Sequence, residues 1–68
     1  MMYIYMHMET VTSRIRRRLI RDGWYLSRHG MNHDIYRHPT IRGIITLPRH
    51  QRVSAGVAAS IAKKAGWS

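Results

Sequence analysis

The Asp22-Gly23 pair divides the chain into a helical segment and a region of strand-like composition. Before this pair, apolar residues recur at every fourth position, at Val11, Ile15 and Leu19. This spacing places them on one face of an α-helix, with arginines on the other faces. Glycine readily adopts the left-handed conformation in which helices often end. The pattern therefore predicts a first helix over residues 12–22, capped by Thr10 or Thr12.

Three short segments after Gly23 are rich in aromatic and β-branched residues, which is typical of strands. They cover residues 24–28, 33–38 and 42–47. The connections between them are short and contain Gly30 in one case and Pro39 in the other. The segments therefore predict a three-stranded antiparallel meander.

The last part of the chain has the start, the apolar stripe and the end of a second helix. Ser54 can cap its N-terminus, and Gly66 has the form of a glycine C-cap. The stripe consists of Val57, Ile61 and Ala65. The predicted order is therefore α-β-β-β-α, an α+β fold with both helices on one face of the sheet. We expect a core built from Ile15, Leu19, Trp24, Leu26, Ile45, Leu47, Val57 and Ile61.

The chain length of 68 residues allows a single domain, which we expect over residues 9–68. We interpret residues 1–8 as an N-terminal extension outside this domain, and they lack the features of an export signal. The absence of cysteine excludes disulfides and thiolate nucleophiles, and it fits a reducing cytoplasm. No apolar run approaches the roughly 18 residues that would span a membrane.

The formal charge of +9 predicts a polyanionic partner. Ten of the twelve cationic side chains are arginines, whose planar guanidinium groups bind phosphate through two parallel hydrogen bonds. Nucleic acid is therefore favoured. Two alternatives remain open at this point: a charged, solvated face, and a docking surface for an acidic protein.

One histidine stands out by its position between a turn and a strand. His33 follows the Gly30 turn in a basic chain, which suggests proton transfer on a polyanion, with RNA as the natural candidate. The histidines as a group are scattered over separate segments and predict no metal site. Strand alternation places His33 and Arg37 on one face and Asp34 on the other. We therefore expect Asp34 to be a solvent or hinge residue rather than an orienting partner of His33.

Four landmarks occur in a fixed order along the chain. They are Asp22-Gly23-Trp24, Gly30-Met31-Asn32-His33 followed by Tyr36 and His38-Pro39, Thr46-Leu47-Pro48-Arg49-His50, and the closing helix from Gly56 to Gly66. Together they resemble the HicA toxins, also called YcfA-like mRNA interferases, over residues 12–67. Asn32 and Asp34 depart from the family pattern, in which many relatives have Ser at the first position and His or an apolar residue at the second.

The resemblance implies both a fold and an activity. The fold is similar to that of a double-stranded-RNA-binding domain, and the activity is cleavage of mRNA without a metal or another cofactor. One histidine performs the cleavage, and by position it is His33, acting as a general base on the ribose 2′-hydroxyl. The resemblance also implies a HicB-like antitoxin as the protein partner.

The candidate RNA-binding residues lie around His33 and in the second helix. We expect Arg28, Arg37 and Arg49 to bind RNA because they lie on or beside the strands that flank His33. Lys63 and Lys64 are the next candidates, and His50 is either a phosphate ligand and second proton donor or a solvated loop residue. Domains of this type read the shape of RNA more than its sequence. The competing classes are a non-catalytic RNA-binding module of the same fold and a basic docking protein.

Two further groups of residues receive a structural interpretation. We expect the arginine row of the first helix, residues 14–21, to be a solvated face rather than an extension of the RNA-binding surface. Trp24 and Trp67 directly follow glycines that end helices. This placement favours core packing or capping over base stacking.

Overall fold

A computed structural model describes residues 9–67, which form two helices and three strands. In chain order the elements are α1 (Thr12–Arg21), β1 (Tyr25–His29), β2 (His33–Arg37), β3 (Ile45–Pro48) and α2 (Ala55–Ala65). The strands form one antiparallel sheet in the order β1-β2-β3. The predicted α-β-β-β-α order and α+β class are therefore confirmed. The expected N-terminal extension, residues 1–8, lies outside the described part of the chain.

The beginning of β3 differs from the prediction. The strand begins at Ile45 rather than at Arg42. Gly43 has a φ of +90°, a left-handed conformation that interrupts the extended backbone. Arg42 therefore belongs to the connection between β2 and β3.

The start of α1 is held by the segment that precedes α2. Val11 occupies the N-cap position without a side-chain cap, so the predicted capping by Thr10 or Thr12 is wrong. The Thr12 amide instead donates to the Gln51 carbonyl at 2.9 Å, and the Val53 amide donates to the Thr10 carbonyl at 2.9 Å. A backbone carbonyl thus serves a helix amide that a capping side chain would otherwise satisfy.

The other helix ends follow the sequence. α1 ends before Gly23, whose φ is +97°. The Ser54 hydroxyl caps α2 by accepting a hydrogen bond from the Val57 amide at 3.1 Å. Gly66 closes α2 in the left-handed conformation, and the Trp67 amide donates back to the Ala62 carbonyl at 2.8 Å. These predicted stop and start signals are confirmed.

The core lies between the helices and one face of the sheet. Its buried apolar residues are Ile15, Leu19, Trp24, Tyr36, Ile45, Leu47, Val53, Ala58, Ile61 and Ala65. Six of the predicted core residues are among them, and Val57 packs against the cluster while partly buried. Leu26 was predicted wrongly and is 41% exposed. It lies on the edge strand β1, whereas both helices pack against β3.

The two tryptophans have the structural roles that the sequence favours. Trp24 is buried in the core. Trp67 packs against the core from outside, and its indole Nε1 donates to Asp22 Oδ2 at 2.8 Å. The Arg18 guanidinium lies 4.2 Å from the centre of the Trp67 ring, a cation–π distance. The interpretation as packing and capping residues is confirmed.

Candidate functional site

His33 lies at the junction of the β1–β2 turn and strand β2. The Gly30 amide donates to the His33 carbonyl at 2.7 Å and closes the turn. A Cβ atom at Gly30 would lie 3.0 Å from His33 Nε2 and 3.2 Å from its Cδ2. Only a residue without a side chain fits there unless the imidazole moves. Gly30 therefore lets the His33 ring lie against the turn, where it remains partly exposed.

The sheet has one face covered by helices and one open face. Tyr36 pairs with Ile45, and Asp34 pairs with Leu47, so these residues face the helices. His33 alternates with Asp34 and therefore faces the opposite, open side. The cross-strand pairs of the open face are His33 with Pro48, Ile35 with Thr46 and with Arg28, and Arg37 with Tyr25.

A bulge in β1 determines which of its residues share the face of His33. The register between β1 and β2 shifts between Leu26 and Arg28. Beyond the shift, Arg28 pairs with Ile35 and His29 pairs with Asp34. A bulge inserts one extra residue and changes which side chains point to which face. Arg28 and Arg37 thus lie on the same face as His33, while His29 faces the helix side.

Arg49 holds the turn that carries His33. Its Nη2 donates to the Gly30 carbonyl at 2.7 Å, and its Nη1 donates to the Met31 carbonyl at 3.1 Å. Its backbone amide donates to the Asn32 carbonyl at 3.3 Å, and its Nε donates to Asp34 Oδ1 at 2.9 Å. The guanidinium and the backbone amide of Arg49 together therefore fix three backbone positions of the segment that precedes β2. The sequence suggested an RNA ligand at this position and gave no signal of this structural role.

Asp34 is the anionic centre of this cluster, and the expectation of a solvent or hinge residue is wrong. The residue is 6% exposed, and His29 Nδ1 and Arg49 Nε contact its Oδ1 at 2.8 and 2.9 Å. The hydrogen bond from His29 lowers the pKa of Asp34 below its usual value, and Arg49 lowers it further, against the opposing effect of burial. The bulge places His29 opposite Asp34, and the end of β3 supplies Arg49. Asp34 thus organises the turn through its neighbours.

A basic cleft lies beside the Arg49 segment. Its volume is about 460 Å³, and it lies between the start of α1 and residues 49–52. His50 and Arg52 line this cleft and are exposed, and Arg16, which also lines it, is half-buried. The sequence singled out His50, but it placed Arg16 only in the solvated arginine row of the first helix and assigned no role to Arg52. Because side chains from two distant segments form the cleft, no local pattern could have revealed it.

Lys63 and Lys64 lie in the exposed last turn of α2. Lys64 borders a shallow cleft with Thr46 and Pro48 of β3. β3 is the sheet edge opposite β1, so these lysines and Arg28 flank β2 from different sides. The fold therefore distributes the candidate RNA-binding residues around His33 rather than gathering them in one pocket.

None of the helices within residues 9–67 is long and apolar enough to cross a membrane. Within the same residues, no three His, Cys, Asp or Glu side chains lie close enough together to hold a metal ion.

Comparison with known proteins gives the family. A search of curated proteins finds no significant match. A family model described as the HicA toxin of bacterial toxin–antitoxin systems matches residues 12–67, which include every helix and strand described above. The match extends from the start of α1 to the tryptophan that follows α2, and on this basis the chain belongs to the HicA toxin family.

Proposed function

We propose that this toxin is an endoribonuclease that cleaves mRNA without a metal ion and uses His33 as its general base. The observation that carries the proposal is the position of His33 on the open face of the sheet, which also carries Arg28 and Arg37, in a HicA toxin. The imidazole is partly exposed, so a bound ribose can reach it. The net charge of +9 attracts the RNA backbone.

The reaction is a transesterification. His33 removes the proton of the ribose 2′-hydroxyl, and the resulting oxygen attacks the adjacent phosphorus while the bond to the 5′-oxygen breaks. The departing 5′-oxygen takes up a proton, either from the imidazolium or from water. Arg28, which pairs with Ile35 two residues from His33, stabilises the charge that develops on the phosphate oxygens, and Arg37 binds the RNA further along the open face. The products are a 2′,3′-cyclic phosphate and a 5′-hydroxyl end.

The remaining candidates bind the RNA on either side of the cleaved bond. Arg49 adds positive charge at the turn, although its hydrogen bonds there limit it to contacts through its exposed edge. His50 contributes a phosphate contact from the adjoining cleft. Lys63 and Lys64 extend the contact beyond β3.

The protein partner in this proposal is a HicB-type antitoxin that acts in the cytoplasm. The family consists of toxins of toxin–antitoxin systems, so a neutralising partner is part of the same biology. The described surface is strongly basic, which favours an antitoxin that presents acidic groups to it. Such a partner and the RNA would compete for the open face.

The test compares the wild-type protein with His33→Ala. The wild type is expected to arrest growth and degrade total mRNA, whereas the variant is expected to lose cleavage by about 10²–10⁴-fold. Thermal unfolding of both proteins controls for loss of the fold. Cleavage by His33→Ala at the wild-type rate contradicts the assignment, and products with 5′-phosphate ends contradict the transesterification. Salt-dependent RNA binding by wild type without any cleavage would instead indicate a binding module.

A further inference from the structure

A second cleft lies at the end of β2 opposite to His33. It has a volume of about 370 Å³ and is lined by Tyr25, Arg37, Thr40, Ile41 and Arg42, among others. Tyr25 is 50% exposed, although it is a large aromatic residue at the start of a strand. None of the residues that line the cleft is acidic. An exposed aromatic ring beside two guanidinium groups is therefore available to a ligand.

The fold fixes the walls of this cleft. Tyr25 and Arg37 are cross-strand partners on the open face. His38 Nδ1 accepts a hydrogen bond from the Thr40 amide at 3.1 Å, and its Nε2 donates to the Asp22 carbonyl at 3.0 Å. The imidazole thus ties the start of the β2–β3 connection to the end of α1. The strand pairing and the hydrogen bonds of His38 therefore hold the walls of the cleft, in addition to the loop that borders it.

We propose that this cleft is a nucleotide-binding subsite for single-stranded RNA, in which a base stacks on Tyr25 and a phosphate lies between Arg37 and Arg42. Stacking on an exposed aromatic ring and pairing of phosphate with arginine are the two interactions by which proteins hold single strands. An acidic protein would use the two arginines but would leave the tyrosine face without a matching partner. The exposed ring therefore favours RNA over a carboxylate-bearing partner.

The distance between the subsite and His33 sets the minimum length of an RNA that can occupy both places. Arg37 is the last residue of β2 and His33 is the first. At roughly 3.3 Å per residue, the two ends of this strand lie about 13 Å apart. That span exceeds the distance between neighbouring phosphates. RNA that occupies both places therefore runs along the open face past Arg28, and a dinucleotide is too short to do so.

The inference rests on the proposed function and is tested by binding alone. The parent protein is His33→Ala, which keeps the RNA intact, and the probe is a fluorescent single-stranded RNA of ten nucleotides. Tyr25→Ala is expected to weaken binding about ten-fold without changing its salt dependence, because stacking involves no counterion release. Tyr25→Phe is expected to bind like the parent. Arg42→Ala is expected to lower the magnitude of the slope of log K against log salt by about 0.7, the value for one phosphate contact on a single strand.

Arg17→Ala is the charge-matched control. Arg17 is exposed on α1, so its removal is expected to leave the salt slope close to that of the parent. Thermal unfolding shows whether each variant keeps the fold. Equal affinity of Tyr25→Ala and the parent overturns the subsite while leaving the proposed function standing. Failure of the parent to bind RNA at all overturns both. Loss of antitoxin binding with unchanged RNA affinity assigns the cleft to the protein partner and also overturns the subsite.

Discussion

Arg49 connects the end of β3 to the turn that carries His33. Its guanidinium and backbone amide donate to three successive carbonyls, those of Gly30, Met31 and Asn32, while Nε pairs with buried Asp34. The planar guanidinium has donors in fixed directions, so a single side chain can satisfy several acceptors at once. The place of His33 therefore depends on a residue that need not touch the substrate. This makes Arg49 a positioning residue in the proposed reaction.

Arg49→Lys tests that role, because lysine keeps the charge and loses the fixed geometry. A single ammonium cannot reach Asp34 and two carbonyls together, so the free energy of unfolding is expected to fall by about 1–3 kcal/mol. RNA cleavage at a temperature where the variant is folded is expected to fall further than RNA binding. Urea unfolding and single-turnover cleavage measure the two effects. Arg17→Lys serves as the control, and overlapping unfolding curves for Arg49→Lys and wild type would argue against the role.

Asp34 adds a pH dependence whose sign follows from its lowered pKa. Because the folded pKa lies below the unfolded value, the ionised carboxylate stabilises the fold at pH values above the unfolded pKa. This stabilisation is lost as the pH falls through the folded pKa. The only other acidic side chains are those of Glu9 and Asp22, so few other carboxylates affect the pH dependence of stability. Wild type is therefore expected to exceed Asp34→Asn in unfolding free energy at pH 7, by a margin that shrinks toward pH 3. A margin independent of pH would count against this account.

At the scale of elements, the bulge in β1 separates what the sequence could predict from what it could not. The alternation of side chains along β2 correctly predicted that His33 and Arg37 face the other side of the sheet from Asp34, because alternation is a local property of one strand. The partners of Asp34 depend on the register between strands, and the shift between Leu26 and Arg28 changes that register. The sequence contains no glycine there to indicate a bulge. The prediction for Asp34 therefore failed although the strand itself was predicted.

Helix ends were predictable for the opposite reason. Gly23 and Gly66 adopt positive φ values, and Ser54 caps α2, so each boundary is determined by the chemistry of one residue. The start of α1 at Thr12 was predicted correctly, but its cap was predicted wrongly, because the Gln51 carbonyl, distant in sequence, replaces the expected threonine cap. The basic cleft and the cleft at Tyr25 likewise depend on segments that are brought together only by the fold.

Gly23 at the end of α1 gives a prediction at this scale. Its φ of +97° disfavours any side chain, and a Cβ there would lie 2.9 Å from His38 Nε2. Gly23→Ala is expected to lower the free energy of unfolding by about 1–3 kcal/mol, because strain and displacement of His38 add together. Gly56→Ala is the matched control, since it lies in α2 and its Cβ would meet only Ser54 Oγ, at 4.0 Å. That variant is expected to be as stable as wild type or more stable. Thermal unfolding compares them, and equal losses would contradict the prediction.

At the scale of the molecule, one charge distribution has opposite consequences for folding and for binding. A net charge of +9 on 68 residues repels itself in the folded state, and salt screens that repulsion. The ion pair of Arg49 with Asp34 involves a buried carboxylate, so salt weakens it less than it weakens interactions between exposed charges. Added salt should therefore stabilise the fold. The same salt should release RNA, because binding depends on displaced counterions.

The two opposite effects of salt, on the stability of the fold and on RNA affinity, can be measured in one protein, His33→Ala, between 50 and 200 mM sodium chloride. The melting temperature is expected to rise across this range. Each phosphate contact on a single strand adds about −0.7 to the slope of log K against log salt, so three or more contacts give a slope of about −2 or steeper, and RNA affinity is expected to fall at least about twenty-fold. Chloride is preferred to sulfate because sulfate also strengthens apolar burial and would raise the melting temperature for another reason. A melting temperature that falls with salt would mean that favourable ion pairs outweigh the repulsion among the arginines. A slope near zero would mean that the open face does not bind RNA through its phosphates.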